Sequence, residues 1–85
     1  MADYEITQQT EDGYDTYVVC NFRADLRQAS CPVEVDYGGE WDATPFQVAD
    51  GKHDTTRIAE LLMAWMEGDW YSKQRPVTVK EIGDG

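Results

Sequence analysis

Residues 54–68 read DTTRIAELLMAWMEG, and this stretch decides the fold because it predicts the chain's one clear amphipathic helix. Asp54 is a good N-cap and Gly68 a good stop, so the helix is expected to span about residues 55–67. Apolar side chains recur along it at helical spacing and predict one buried stripe. The stripe consists of Ile58, Leu61, Leu62, Trp65 and Met66, widened by Met63. A helix with a single apolar stripe has to cover a sheet or another helix.

Upstream of the helix, the sequence predicts a first strand pair at residues 4–9 and 14–22, joined at the hairpin signal Asp12-Gly13. A two-residue and a three-residue loop give different registers. The three-residue loop, residues 12–14, is preferred because it collects apolar side chains on one face. Its expected pairs are Tyr4 with Phe22, Ile6 with Cys20, and Gln8 with Val18. Tyr17 and Val19 are then expected on the opposite face.

A second strand pair is predicted at residues 33–37 and 41–48, around Gly38-Gly39. A three-residue loop at residues 38–40 is again preferred, because it sets Tyr37 against Trp41 and Val35 against Ala43. In this register Glu34, Asp36 and Asp42 share one face of the hairpin, and Glu40 lies at its tip. Pro45 indicates that the fourth strand is at a sheet edge or is broken there.

The whole chain, residues 1–85, is expected to form a single α+β domain. Residues 23–31 are either a loop or a short helical turn, and a last strand is predicted near residues 77–82. The expected order is ββββαβ, a mainly antiparallel sheet of four to five strands with the helix packed on one face.

The composition is strongly acidic: seventeen acids against seven bases give a net charge of −10. Direct binding to DNA or RNA is therefore not expected, because phosphate contacts need Lys and Arg. Anionic membrane surfaces are disfavoured for the same reason. A protein partner with a basic surface is the natural complement, and solubility is the alternative explanation of the charge. The oligomeric state is left open.

The N-terminus lacks the features of a signal peptide, and no apolar run has the roughly 18–20 residues of a membrane span. We therefore expect a cytoplasmic protein. Cys20 and Cys31 are expected to be reduced, each as a small buried apolar group, and a disulfide between them remains an alternative.

Catalytic and metal-binding signals are weak. The one histidine, His53, lies in a polar loop, and the two cysteines do not have the close spacing of a zinc site. Gly38-Gly39 is a turn, and no phosphate-binding glycine pattern is found. We therefore expect no catalytic residue, no cofactor and no metal. A small enzyme or metal protein built around Cys31 and His53 is the least favoured hypothesis.

The distribution of charge is the one feature that points to a partner. Residues 1–50 hold 11 acids and two bases, whereas residues 51–85 hold six acids and five bases. The candidate partner-binding residues are Glu34, Asp36, Glu40, Asp42, Asp12 and Asp15. Carboxylates on alternate strand residues lie about 6.5–7 Å apart, a spacing similar to that of phosphates. Such a row would suit a basic groove that holds nucleic acid; the alternative is a solvated sheet face.

In size, acidity and compact strand–helix design, with the acidic segments Glu34-Val35-Asp36 and Glu40-Trp41-Asp42, the chain resembles small inhibitors encoded by phages and mobile elements. These include anti-CRISPR proteins and DNA mimics. The resemblance implies a non-enzymatic inhibitor that blocks the basic surface of a nucleic-acid-handling complex.

The second hypothesis is a structural or adaptor subunit, in which the acidity serves only solubility. It would assemble through an apolar surface made of Tyr17, Val19, Trp70 and Tyr71.

Overall fold

The computed structural model describes residues 1–68 and 76–84. In chain order, the elements are strands β1 (Ala2–Gln9), β2 (Thr16–Ala24), β3 (Pro32–Tyr37) and β4 (Glu40–Gln47), a 3-10 turn (Val48–Gly51), helix α1 (Thr55–Glu67) and strand β5 (Val77–Asp84). The predicted α+β class and the order ββββαβ are confirmed.

The five strands form one sheet in the order β4-β3-β2-β1-β5, and every neighbouring pair is antiparallel. Because β1 and β3 both run antiparallel to β2, the β1–β2 and β3–β4 turns lie at the same end of the sheet. We call this the turn end. The 3-10 turn follows β4 at the opposite end, and α1 starts there.

Helix α1 has the predicted bounds and caps. The Asp54 carboxylate accepts a hydrogen bond from the Thr56 amide at 2.9 Å, and Gly68 ends the helix with a φ of 57°. A positive φ is readily adopted only by glycine, which explains why the helix stops there.

The buried stripe of α1 differs from the predicted one. It is formed by Ile58, Ala59, Leu62 and Met63, whereas Leu61 is half-buried and Trp65 is 46% exposed. The helix packs near β5, so its Trp65 side faces the flank of the sheet that ends at β4. There Trp65 meets Phe46 in an edge-to-face contact with ring centroids 6.1 Å apart. The expectation that Trp65 and Leu61 are core residues is therefore wrong.

The first hairpin keeps the predicted register only in the core. Tyr4 pairs with Phe22, and their rings stack with centroids 5.0 Å apart; Ile6 pairs with Cys20. A register shift follows, because Thr7 pairs with Val18 and Gln8 with Tyr17.

Val19 is therefore the extra residue of a β-bulge. The predicted Gln8–Val18 pair is wrong, and Tyr17 lies on the helix-covered side with Gln8, its hydroxyl donating to Gln8 Oε1 at 3.0 Å. The connection also spans residues 10–15 rather than three residues, because its own hydrogen bonds set the turn. The Thr10 amide donates to Asp15 O, and the Gly13 amide donates to Thr10 O, each at 2.9 Å.

The predicted register of the second hairpin is wrong. The observed pairs are Tyr37 with Glu40, Asp36 with Trp41, Val35 with Asp42, and Glu34 with Ala43. The loop is thus the two residues Gly38 and Gly39, both with positive φ, as a tight hairpin turn requires. The Asp36 carboxylate secures it by accepting the Gly39 amide at 2.9 Å. Matching apolar partners across the pair has little weight here, because β4 is an edge strand that buries little of its surface.

The prediction from Pro45 is confirmed: β4 is an edge strand, and its pairing with β3 shifts register near this residue. Thr44 replaces part of the lost ladder. Its hydroxyl donates to Val33 O at 2.6 Å and accepts the Phe46 amide at 3.2 Å.

Residues 23–31, for which a loop and a short helical turn are both predicted, contain the end of β2 and two turns and end at buried Cys31. Cys20 and Cys31 are both buried and both free. Their predicted role as small apolar core groups is confirmed, and the disulfide alternative is not.

Replacing Leu62 with Ala is expected to cost about 2–5 kcal/mol of unfolding free energy, because the side chain is fully buried. Trp65→Ala is expected to cost clearly less, since nearly half of Trp65 is already in water. Urea unfolding of the two variants tests this order. An equal loss would show that α1 buries its Trp65 side after all.

Candidate binding surface

The face of the sheet not covered by α1 is polar and half-buried. Arg23 of the middle strand β2 lies on this face, and its Nε is 3.3 Å from Asp3 Oδ1. The Arg23 guanidinium also stacks over the Trp41 ring, 3.8 Å from its centroid. An arginine held by a carboxylate on one strand and an aromatic ring on another is fixed in place, and its charge is largely compensated.

The predicted acidic face is divided between the two sides of the sheet. Glu34 and Asp36 lie on the open face, opposite Arg23 and Asn21 of β2. Asp42 is opposite buried Val35, so it lies on the helix-covered side of edge strand β4. Cross-strand partners share a face, and the one-residue difference in register therefore moves Asp42 to the other side. The prediction that Glu34, Asp36 and Asp42 share one face is therefore wrong.

The structure brings acids of both hairpins together at the turn end. The two hairpin turns place six acids at this end: Glu11, Asp12, Asp15, Asp36, Glu40 and Asp42. We call this group the acidic end. It contains five of the six predicted binding residues; the sixth, Glu34, lies further along β3. All six acids except half-buried Asp36 are exposed.

The bases of the described residues lie elsewhere. Arg23 is near the far end of β2, and Lys80 pairs with Glu5 halfway along β1. Arg27, Lys52 and Arg57 belong to the loops and the first helical turn at the far end. Acids at that end have basic neighbours: Arg27 holds Asp25 at 3.1 Å, and the Arg27 side chain lowers the pKa of Asp25. Within residues 1–68 and 76–84, the chain is therefore electrically asymmetric.

Asp12 builds the first turn. Its Oδ1 accepts the Thr10 hydroxyl and, at 3.0 Å, the Tyr14 amide. These two hydrogen bonds favour the ionised form and lower the pKa of Asp12. The sequence marks Asp12-Gly13 as a turn, but the hydrogen bonds of the Asp12 carboxylate within that turn were not predicted. An Asp that accepts the amide two residues later is a common turn feature.

The least favoured hypothesis is built around Cys31 and His53, and the chain's other cysteine is Cys20. Burial, followed by the charges of Glu67 and Asp36, raises the pKa of Cys20 to about 11, so its thiolate is scarce at neutral pH. Cys31 Sγ accepts the Asp25 amide at 3.3 Å. His53 is exposed, and its Nδ1 lies 2.9 Å from Leu26 O. No group of three potential metal ligands is found in the described part of the chain.

Two shallow depressions lie away from the acidic end. One is lined by residues around Asp50, Lys52 and Arg57, the other by residues around Tyr4 and Arg27. Neither contains a predicted binding residue, and both mix acids with bases.

The apolar surface of the adaptor hypothesis is described only in part. Tyr17 is exposed and Val19 is half-buried, whereas Trp70 and Tyr71 lie outside the described residues. Sequence reasoning missed two further exposed apolar side chains near the first turn, Tyr14 and Val18.

No known family model, curated protein or solved structure matches this chain. None of the helices in the described ranges has both the length and the apolarity needed to cross a bilayer. The function is therefore inferred from the chain's own geometry.

Asp12→Ala is expected to loosen the first turn, because it removes the acceptor of two hydrogen bonds. Asp12→Asn removes the same charge but keeps a side-chain oxygen at this position, so it is the matched control. Amide exchange at Tyr14 and Asp15, measured by NMR, should accelerate in the alanine variant alone. Equal acceleration in both variants would show that the charge, rather than the acceptor, holds the turn.

Acidification is expected to act on the same turn. Since the folded state lowers the pKa of Asp12 from 3.8, the turn is stabilised at pH above 3.8 and loses this contribution as pH falls through the lower folded value. Exchange at Tyr14 relative to Asp12→Asn should therefore rise only below about pH 4. If exchange at Tyr14 relative to Asp12→Asn were already raised at neutral pH, the prediction would be contradicted.

Proposed function

We propose that this chain is a non-enzymatic, acidic binding protein whose acidic end docks on a basic protein surface. The observation that carries the proposal is the clustering of six acids from two separate hairpins at one end of the sheet. Electrostatic complementarity of this kind speeds encounter and selects partners by sign of charge.

The acids of this end are presented by an ordered backbone. Both turns are closed by hydrogen bonds, and the carboxylates of Asp12 and Asp36 accept backbone amides within them. Asp15, Glu40 and Asp42 then project into solvent from fixed positions. A preordered charge pattern loses less entropy on binding than acids on a disordered tail.

A basic surface that normally binds nucleic acid is the partner class that fits best. Glu34 and Asp36, alternate residues of β3, place carboxylates on the open face about 6.5–7 Å apart, close to the phosphate repeat. A protein that covers such a surface acts as an inhibitor of nucleic-acid binding. This class agrees with the resemblance to phage-encoded anti-CRISPR and DNA-mimic inhibitors, and with action in a cytoplasm.

The test is competition for a defined basic probe. A peptide of alternating lysine and serine is bound to a short fluorescent DNA duplex, and the protein is titrated in while polarisation reports release of the DNA. Asp15→Asn with Glu40→Gln should weaken this competition about fivefold, because both charges lie at the acidic end. Added salt should weaken the wild type steeply.

The control pair Glu60→Gln with Glu81→Gln changes net charge by the same two units away from the acidic end. Equal weakening by both pairs would mean that only total charge matters, and the proposal would fail. Competition that neither pair weakens would favour the adaptor hypothesis.

A further inference from the structure

The first hairpin extends beyond the rest of the sheet. β5 begins opposite Gln8, and the pairing of β3 with β2 stops at Asn21. In the described part of the structure, residues 9–18 therefore pair only within the β1–β2 hairpin, and neither β3 nor β5 flanks them. We call residues 9–18 the finger. All residues of the finger are exposed except half-buried Thr10.

The finger exposes three large side chains with apolar surface. Tyr14 is 89% exposed, Val18 55% and Tyr17 40%. As consecutive strand residues, Tyr17 and Val18 point to opposite faces. The bulge at Val19 decides which face each takes: Val18 lies opposite Thr7 on the open-face side, and Tyr17 lies opposite Gln8 on the helix side. Tyr14 lies in the turn that joins β1 to β2. A projection that is apolar at its tip and on both faces suits insertion between two walls rather than contact with a flat surface.

The finger is also ordered before any partner arrives. The Thr10–Asp15 and Gly13–Thr10 backbone hydrogen bonds close the turn, and Asp12 holds Tyr14 in place through its amide. Tyr17 is oriented by its hydrogen bond to Gln8. Aromatic side chains on a preordered element are the usual anchors of protein interfaces.

Charge decides the occupant. Residues 1–22 contain no lysine or arginine, and Glu11, Asp12 and Asp15 are close neighbours of Tyr14 in the sequence. A second copy of the chain would bring the same acids against these, so self-association through the finger is repelled. A cleft with apolar walls and a rim of lysine or arginine satisfies both the exposed apolar groups and the acids.

We propose that the finger inserts into such a cleft of a basic protein, with Tyr14, Tyr17 and Val18 as its apolar contacts. This inference rests on the proposed function and names the shape and lining of the surface that the acidic end occupies.

Two peptides of equal charge test it, one of alternating lysine and leucine and one of alternating lysine and serine. The wild type should bind the lysine–leucine peptide about tenfold more tightly, because only that peptide offers apolar partners to the finger. The variant Tyr14→Ser, Tyr17→Ser, Val18→Thr should lose this preference and keep its salt-dependent binding of the lysine–serine peptide.

The matched control is Trp65→Ser with Ile82→Thr, which removes exposed apolar groups outside the finger and should retain the preference. Urea unfolding and circular dichroism establish that each variant is folded. If the finger variant does not fold, Tyr14→Ser alone, placed in the exposed turn, should still reduce the preference.

Three outcomes would overturn the inference. Equal affinity of the wild type for the two peptides, with salt-dependent binding intact, overturns the apolar contact and leaves the proposed function standing. Loss of preference in the control variant alone places the contact elsewhere. Concentration-dependent dimerisation in sedimentation, abolished by the finger variant, makes a second copy the occupant. Absence of salt-dependent binding to either peptide would instead defeat the proposed function itself.

Discussion

The packing of α1 on one face of the sheet is the interaction on which the other features depend. Ile58, Leu62 and Met63 lose all contact with water against a sheet face that includes Ile6 and Phe22. A chain of 85 residues has little other apolar surface to bury, so this layer supplies most of the favourable free energy of folding. Buried Gly51 shows how close the packing is, because a Cβ there would collide with the Ile58 side chain.

That layer also determines where the charges lie. One sheet face is taken by the helix, so most acids are left with the open face, the edge strands, the loops and the turns. On the open face and at the far end, Arg23 and Arg27 compensate Asp3 and Asp25. At the turn end, the described residues provide no such base, and exposure to water and salt has to screen the repulsion. A fold that tolerates this repulsion in one region retains a strong local field there for a basic partner.

The limits of sequence prediction follow from the same hierarchy. Local signals predict α1 to the residue, because Asp54 and Gly68 act within one turn of the helix. The Tyr4–Phe22 pair is predictable because burial penalises any slip. The exposure of Trp65 cannot be predicted in this way, because the side of α1 that stays exposed depends on how the helix lies over distant strands. The predicted side of Asp42 is wrong because apolar matching is preferred to the turn signal. In a weakly buried edge hairpin, the two-residue turn Gly38-Gly39 sets the register.

The bulge at Val19 separates the register of the core pairs from the register of the finger. Without an extra residue, the pairs that bury Ile6 and Phe22 would also fix which side each finger residue faces. With it, the core pairs and the finger pairs follow separate registers, so Val18 faces the open side and Tyr17 the helix side while Ile6 stays opposite Cys20. Tyr17 remains linked to the core, because its hydroxyl donates to buried Gln8. Tyr14 and Val18 are exposed, and substitutions there change the projecting surface with little effect on the helix layer. In so small a chain, the proposed specificity for a partner is easiest to accommodate at such positions.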